Sequence, residues 1–286
     1  VNSAHLLGEW LAARLSPEAM SWLRAGMDRL ASDGTDADLY RTISLVARKI
    51  GKTALALTDA ELARADSVRP GWNPSAWATD QSARLVLLLS VRGPAEDFVR
   101  RLDALCATAD VGELVAFYQG LPLYPDPPRH VLRAAEGVRT NMKVVFEAVA
   151  HRNPYPSEQF DEIAWNQMVL KALFVGSTLD PIVGLDRRAN AALAGMLRDY
   201  AHERWSAQRP VSPELWRCIG PFARGDALAD LERVLASSVE AESLAAALAL
   251  SASSDPDAQR LLDRKPDAKR AIAAGQTTWR QFAPQP

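Results

Sequence analysis

Cysteine is scarce: only Cys106 and Cys218 occur in 286 residues, far apart in the chain. Two cysteines with no CxxC pairing are too few for a disulfide framework or a zinc set, so a reducing, cytoplasmic setting is expected. Charge of either sign is not in excess. The 33 basic and 35 acidic side chains leave a formal net charge of -2, which argues against a nucleic-acid partner. Long apolar runs are missing as well. The longest run of large apolar side chains covers 85–89, far short of the roughly 18 residues that a membrane helix needs. Residues 1–15 carry charges within their apolar run and have no basic leading segment, so they do not read as a signal peptide. Strand-like alternation is absent too, since Val144-Val145 and similar pairs sit inside helical periodicity. Gly51-Lys52-Thr53 looks like the end of a phosphate-binding loop. The first glycine of that motif would fall at Val46, however, and no strand precedes it.

What is present is material for helices. At 48% hydrophobic and 24% charged, the chain has ample apolar surface for a core. Ser16-Pro17 separates two helices within 1–31. Thr35 with Asp38, Thr58 with Glu61 and Asp110 with Glu113 have the spacing of helix starts. Leu39, Ile43, Val46 and Ile50 form an apolar stripe. A long apolar helix is expected over 76–90, and an extended, proline-rich loop over 121–128. The segment 226–251 reads as two antiparallel helices, with two short helices after it at Pro256 and Pro266 and a loose tail from Phe282. The expected fold is all-α: a single domain over 1–286, an irregular assembly of about a dozen helices. It could take on a HEAT-like, α-solenoid character toward the C-terminus, although no strict repeat is visible.

Residues 135–205 place polar groups inside segments that should be buried. One helix is expected over 138–150, with Val138, Met142, Val145, Phe146 and Val149 on its core side and Asn141 flanking the stripe. Glu147 and His151, one turn apart, could share a metal, but a solvated face with a Lys143–Glu147 pair is the expected reading. Asn153, held extended before Pro154, either aims its amide at a pocket or closes the turn. A second helix over 157–175 is apolar around its whole circumference, yet carries Asn166, Gln167 and Lys171. A buried Lys171 would need a carboxylate such as Asp186 or Asp199, or an anionic ligand, unless it snorkels to water. Asp186 is expected to cap the next helix, with Arg187 and Arg188 in its first turn as an anion cradle or as partners of nearby acids. Along that helix Gly195 would allow close approach, and Asp199 could orient His202 for proton transfer. The Asp199-x-x-His202 spacing also occurs in di-iron bundles, but no second copy exists and no metal set is assigned. Arg204 and Trp205 close this polar-aromatic end.

Five segments resemble the EboA family: AFYQGLPLYPDP (116–127), RAAEGVRTNMKVVFEAVAHRNPYP (133–156), FDEIAWNQMVLKALFVG (160–176), GLDRRANAALAGMLRDYAHERW (184–205) and PELWRCIGPF (213–222). The resemblance runs over about 22–250 and is strongest in the middle, with 251–286 as a C-terminal helical extension. It implies a place in a bacterial gene cluster for a secondary metabolite. Neighbouring products there resemble a membrane prenyltransferase, a metal hydrolase, a sugar-phosphate cyclase and a sugar isomerase. It carries over no reaction, cofactor or catalytic residue. The resulting expectation is a cytoplasmic protein that binds or processes a small polar metabolite, cyclitol- or sugar-derived and in one version phosphorylated, between the helices of 135–205. His202, Asp199, Glu203 and Lys171 would act chemically. Arg139, Asn141, Asn153, Asn166, Asp186, Arg187, Arg188, Asn190, Arg204 and Trp205 would bind. The competing expectation is a non-catalytic scaffold for other pathway proteins. A buried polar pocket would favour the first, and acids and bases already paired would favour the second.

Overall fold

Local capping chemistry decides where several helices begin. The Thr35 side chain accepts the Asp38 amide at 3.2 Å while the Asp38 carboxylate accepts the Thr35 amide at 3.2 Å. The same reciprocal pair joins Thr58 to Glu61 and Asp110 to Glu113. The computed structural model describes residues 3–32 and 34–282. Among these it contains α-helices, short 3-10 turns and no strand, with one isolated antiparallel bridge between Ala54 and Ala78. The fold is all-α, and the expected loose tail lies, over 283–286, outside the described residues.

The chain divides into two compact units, Val1–Phe160 and Asp161–Pro286. The first holds α1 (Ser3–Arg14), α2 (Pro17–Ser32), α3 (Asp36–Ile50), α4 (Asp59–Val68), α5 (Thr79–Ser90), α6 (Ala95–Thr108), α7 (Val111–Gln119), α8 (Val131–Arg139), α9 (Lys143–Ala150) and α10 (Tyr155–Gln159). Its centre is α5, packed by α1, α2, α3 and α7. Ala83, Leu85, Val86, Leu87 and Leu88 are fully buried on it, so its apolar residues face neighbours all round, as a central helix requires. Asp80 and Arg84 are buried on the same helix and ion-paired at 2.6 Å. Beside it Trp10, Trp72 and Trp77 form a row, with ring centroids 5.7 and 5.6 Å apart.

Three expectations for this unit are corrected. The helix expected over 138–150 is two helices. Thr140 adopts extended backbone as the cap of α8, and its hydroxyl accepts the Met142 amide at 3.2 Å, so the chain turns although its apolar period continues. Met142 is accordingly exposed rather than part of the core. The helix expected over 157–175 is also broken: α10 ends at Gln159, and Asp161 caps the next helix by accepting the Ala164 amide at 2.7 Å. Residues 121–128 are not simply extended. Pro122, Pro127 and Pro128 sit in the first turns of two 3-10 segments, Leu121–Leu123 and Pro127–His130, where a missing amide proton costs nothing.

That proline segment ends in a buried titratable group. His130 is 1% exposed and packs edge-on against Phe98 and Tyr124. Its Nε2 lies 2.9 Å from the Pro125 carbonyl, while Nδ1 is buried without a hydrogen-bond partner. Burial lowers its pKa, against the opposing effects of the Pro125 contact and the Asp103 and Asp126 charges. The unfolded chain therefore binds the proton more readily than the folded one. This contribution to stability is complete above the unfolded value, about 6.5, and is lost as pH falls from there toward the folded value. Urea midpoints measured at pH 7.5 and 5.5 should differ less in His130→Phe than in the wild-type protein. An unchanged difference would show that His130 does not set this dependence.

The second unit holds α11 (Glu162–Phe174), α12 (Ala191–Ser206), α13 (Asp226–Leu235), α14 (Glu240–Ala252), α15 (Pro256–Leu262) and α16 (Pro266–Ala273). Here α14 is central, flanked by α13, by α15 and by the 3-10 segment Pro213–Cys218. Ala245, Ala246, Ala247 and Ala249 are fully buried, and such small side chains let neighbouring backbones approach closely. The helix pair expected over 226–251 is present as α13 and α14, but one such pair does not make a solenoid. Ile163 and Phe174 on α11 are 74% and 60% exposed, so α11 is not buried on all sides as its composition had suggested.

Candidate functional site

Polar residues of 135–205 fall in both units, and each set is described within its own unit. In the first unit the turn after α9 is built around Asn153. This side chain is buried, donates from Nδ2 to the carbonyls of Tyr118 and Ala148 at 3.1 Å each, and accepts the Tyr155 amide at 3.0 Å. It closes the turn and ties it to α7. The residue before it, Arg152, is held at a φ of 52°, a left-handed conformation that a non-glycine residue adopts only when its surroundings impose it. Its carbonyl accepts the Asn73 amide at 3.2 Å, joining the turn to the loop that precedes α5.

These ties enclose a polar cavity of about 170 Å³, partly open to solvent. Gln119 lines it from α7 and Trp77 from the loop before α5, Glu147 and His151 from the end of α9, and Arg152 and Asn73 from the joined loops. Gln119 is positioned by the residue after it. A Cβ on Gly120 would collide with Leu85 and Tyr124, so only glycine lets this end of α7 sit so close. The Gln119 Oε1 atom is buried and has no hydrogen-bond partner in the structure. Lys143 Nζ lies 3.7 Å from a Glu147 oxygen, the pair expected on this face. Asn153 contributes to the wall, while Arg139 and Asn141 are exposed at the end of α8 and in the break after it.

In the second unit the expected cap is displaced. Asn190, not Asp186, caps α12 by accepting the Leu193 amide at 2.8 Å. Its carboxamide also pairs reciprocally with that of Asn166, at 2.9 and 3.2 Å, and it donates to the Arg188 carbonyl at 3.1 Å. Arg187 and Arg188 thus precede the helix instead of occupying its first turn. The Arg188 guanidinium lies 4.7 Å over the Trp165 ring. Burial, and then the neighbouring Arg187 charge, lowers its pKa. Asp186 receives two bonds from Arg217, which also binds Asp180 at 2.8 Å. Arg217 thus engages the Asp186 carboxylate. Lys171 is only partly buried, and that burial lowers its pKa.

Glu214, buried at 2% exposure, holds the same loop by accepting the amides of Leu179 and Asp180 at 2.8–3.1 Å. Burial raises its pKa against the opposing pull of those amides. His202 pairs with Asp230 at 2.8 Å, and Asp230 also accepts Arg198 at 2.9 Å. Asp199 and Glu203 are exposed, so the orienting carboxylate expected for His202 is replaced by one on α13. His202 stacks on Trp205, which stacks on Trp216 and carries Arg233 4.2 Å above its ring. Arg204 donates to the Pro210 carbonyl at 3.0 Å. Gly195 is exposed with nothing within 4 Å of an added Cβ, so the close approach expected there is not used.

Among the described residues no group of three or more His, Cys, Asp or Glu side chains could hold a metal ion, and no helix is long and apolar enough to cross a membrane. Asn73, Trp77 and Gln119 had not been singled out in the sequence. The only signals were the WNP and YQG segments beside a tight glycine, and neither names a pocket without the fold. Compared with known proteins, residues 3–220 match the profile of a family described as "Metabolite traffic protein EboA". No curated protein and no solved structure matches the chain.

Proposed function

Because the chain belongs to the EboA family of metabolite traffic proteins, we propose that it binds a small polar metabolite in the first-unit cavity and holds it during transfer or processing. The observation that carries this reading is the polar cavity of about 170 Å³ with an unpartnered buried amide oxygen in its wall. A buried polar atom in that state calls for a partner such as an ordered water or a ligand. The metabolite class suggested by the family resemblance is a cyclitol or sugar derivative, with or without a phosphoryl group. Asn153 shapes the cavity, whereas Arg139 and Asn141 are not among the residues that line it. In the second unit, Lys171, Arg187 and Arg188 stand as the proposed anion-holding group. Any proton transfer by His202 would use Asp230 as its orienting carboxylate, with Asp199 and Glu203 in solvent beside it.

A second reading, a non-catalytic scaffold for pathway partners, draws on the pairing of second-unit candidates with one another. Asn166 with Asn190, Asp186 with Arg217 and His202 with Asp230 are each already engaged in structural contacts. Mass spectrometry of small molecules released from protein purified from its native cells separates the two. The expected result is a near-stoichiometric polar molecule, lost in Val144→Trp, which places a large ring at the exposed cavity rim. Finding no molecule with either protein favours the scaffold reading.

A further inference from the structure

A second cavity opens in the first unit and shares no lining residue with the polar one. It measures about 330 Å³ and is partly open to solvent. Its apolar wall comes from Leu89 and Val91 at the end of α5, Phe98 on α6, and Leu123 and Pro125 in the proline-rich segment. Ser3 and Arg101 bring the only polar side chains among the lining residues. An apolar wall with a few placed polar groups is the usual make-up of a small-molecule site. The volume is about twice that of a cavity of about 150 Å³ that takes up benzene.

Arg101 is fixed in this wall. Its side chain is only 13% exposed, Nε donates to Asp36 Oδ1 at 2.8 Å, and Nη1 donates to the Arg92 carbonyl at 3.2 Å. Gly93, also in the wall, lets the chain close on it: its φ is 142°, and an added Cβ would lie 3.2 Å from Arg101 Nη1. Arg101 Nη2 has no hydrogen-bond partner among the described residues, and unlike Arg84 Nε it is not sealed from solvent. A guanidinium offers five donors and no acceptor, so donors remain at this point of the cavity. The charge of Arg101, by contrast, is already met. Asp36 pairs with both Arg100 and Arg101, and Asp97 lies 3.5 Å from Arg100. Two carboxylates thus answer two guanidinium groups at this edge.

We propose that this cavity binds a small, uncharged, mainly apolar molecule with one oxygen acceptor, a ketone or similar group, which takes a hydrogen bond from Arg101 Nη2. A pure hydrocarbon would strip water from that donor and give it no partner, which is costly. A carboxylate would be desolvated beside Asp36 and Asp97, with no cation left over to offset its charge.

The test is a methyl-detected NMR titration of the full chain with three molecules that share a phenyl-alkyl body: 4-phenylbutan-2-one, butylbenzene and 3-phenylpropanoate. The expected result is saturable shifts at Leu89, Val91 and Leu123, with the ketone bound about ten-fold or more tightly than butylbenzene, the factor expected for a hydrogen bond to a charged group. Arg101→Met should bring the ketone down to the level of the hydrocarbon, while Asp36 keeps Arg100 as its partner. Ala95→Phe places a ring at the half-buried cavity wall without touching Arg101. It should abolish binding of the ketone, and it keeps the test decisive if Arg101→Met folds poorly. Equal binding of ketone and hydrocarbon by the wild-type protein overturns the proposal, and so does a ketone preference that survives in Arg101→Met. Tightest binding of 3-phenylpropanoate, or no shift at these methyl groups with any of the three, overturns it as well.

Discussion

Arg84→Met should destabilise the first unit by about 3–5 kcal/mol, the usual consequence of leaving one member of a buried ion pair without its partner. The Arg84 and Asp80 side chains are 2% and 6% exposed, and Arg84 Nη1 lies 2.6 Å from Asp80 Oδ2. Glu113, at 3.7 Å and 18% exposed, can turn toward water once the guanidinium is gone. Asp80 cannot, because α5 is enclosed on every side. At roughly 2–4 °C per kcal/mol for a unit of this size, the thermal midpoint should fall by roughly 6–20 °C. Circular dichroism melting curves read this directly. Adding Asp80→Leu to Arg84→Met should restore much of the loss, since removing both charges also removes the desolvation penalty. A single variant within about 1 kcal/mol of wild type would mean that Asp80 finds another partner.

Gly220→Ala should be the most damaging small substitution in the second unit. An added Cβ would stand 2.5 Å from the Ala249 carbonyl oxygen and 2.8 Å from its Cα. Both atoms are backbone of the central helix α14, so no rotamer change relieves the clash. Overpacking of this kind costs about 1–3 kcal/mol, and a rigid backbone neighbour puts this case at the upper end. Gly195→Ala is the matched control. It is an exposed position inside α12 with nothing within 4 Å, and alanine there should stabilise by about 0.5–1 kcal/mol through helix propensity alone. Urea unfolding of the two variants should therefore move in opposite directions. Equal, small shifts would show that α14 and the turn at Gly220 separate at little cost.

The polar groups of the central stretch divide according to the range of their partners. Asn153 could be read as a turn residue because Tyr155, which it caps, is two positions away. Its bonds to Tyr118 and Ala148 needed the packing of α7 against α9. Asp199 was paired with His202 by helical spacing, and Asp186 was offered to Lys171 because a buried cation needs a carboxylate. In the structure Asp230 serves His202, and Arg217 serves Asp186. These partners lie 28 and 31 residues distant, and spacing on one helix says nothing about them. The breaks at Thr140 and Asp161 escaped for a related reason. Apolar periodicity continues through both, and a threonine or aspartate caps a helix only if the chain has somewhere to turn.

By itself the sequence determined the all-α class, the three reciprocal helix caps, the apolar stripes and the family, because each depends on residues within a few positions or on whole words of sequence. Tertiary structure alone decided which apolar helix became central, which carboxylate met which cation, and that Trp77, Gln119 and Glu147 would border one cavity. Those outcomes depend on which helix faces meet, and that choice is made by packing across tens of residues rather than by any local pattern.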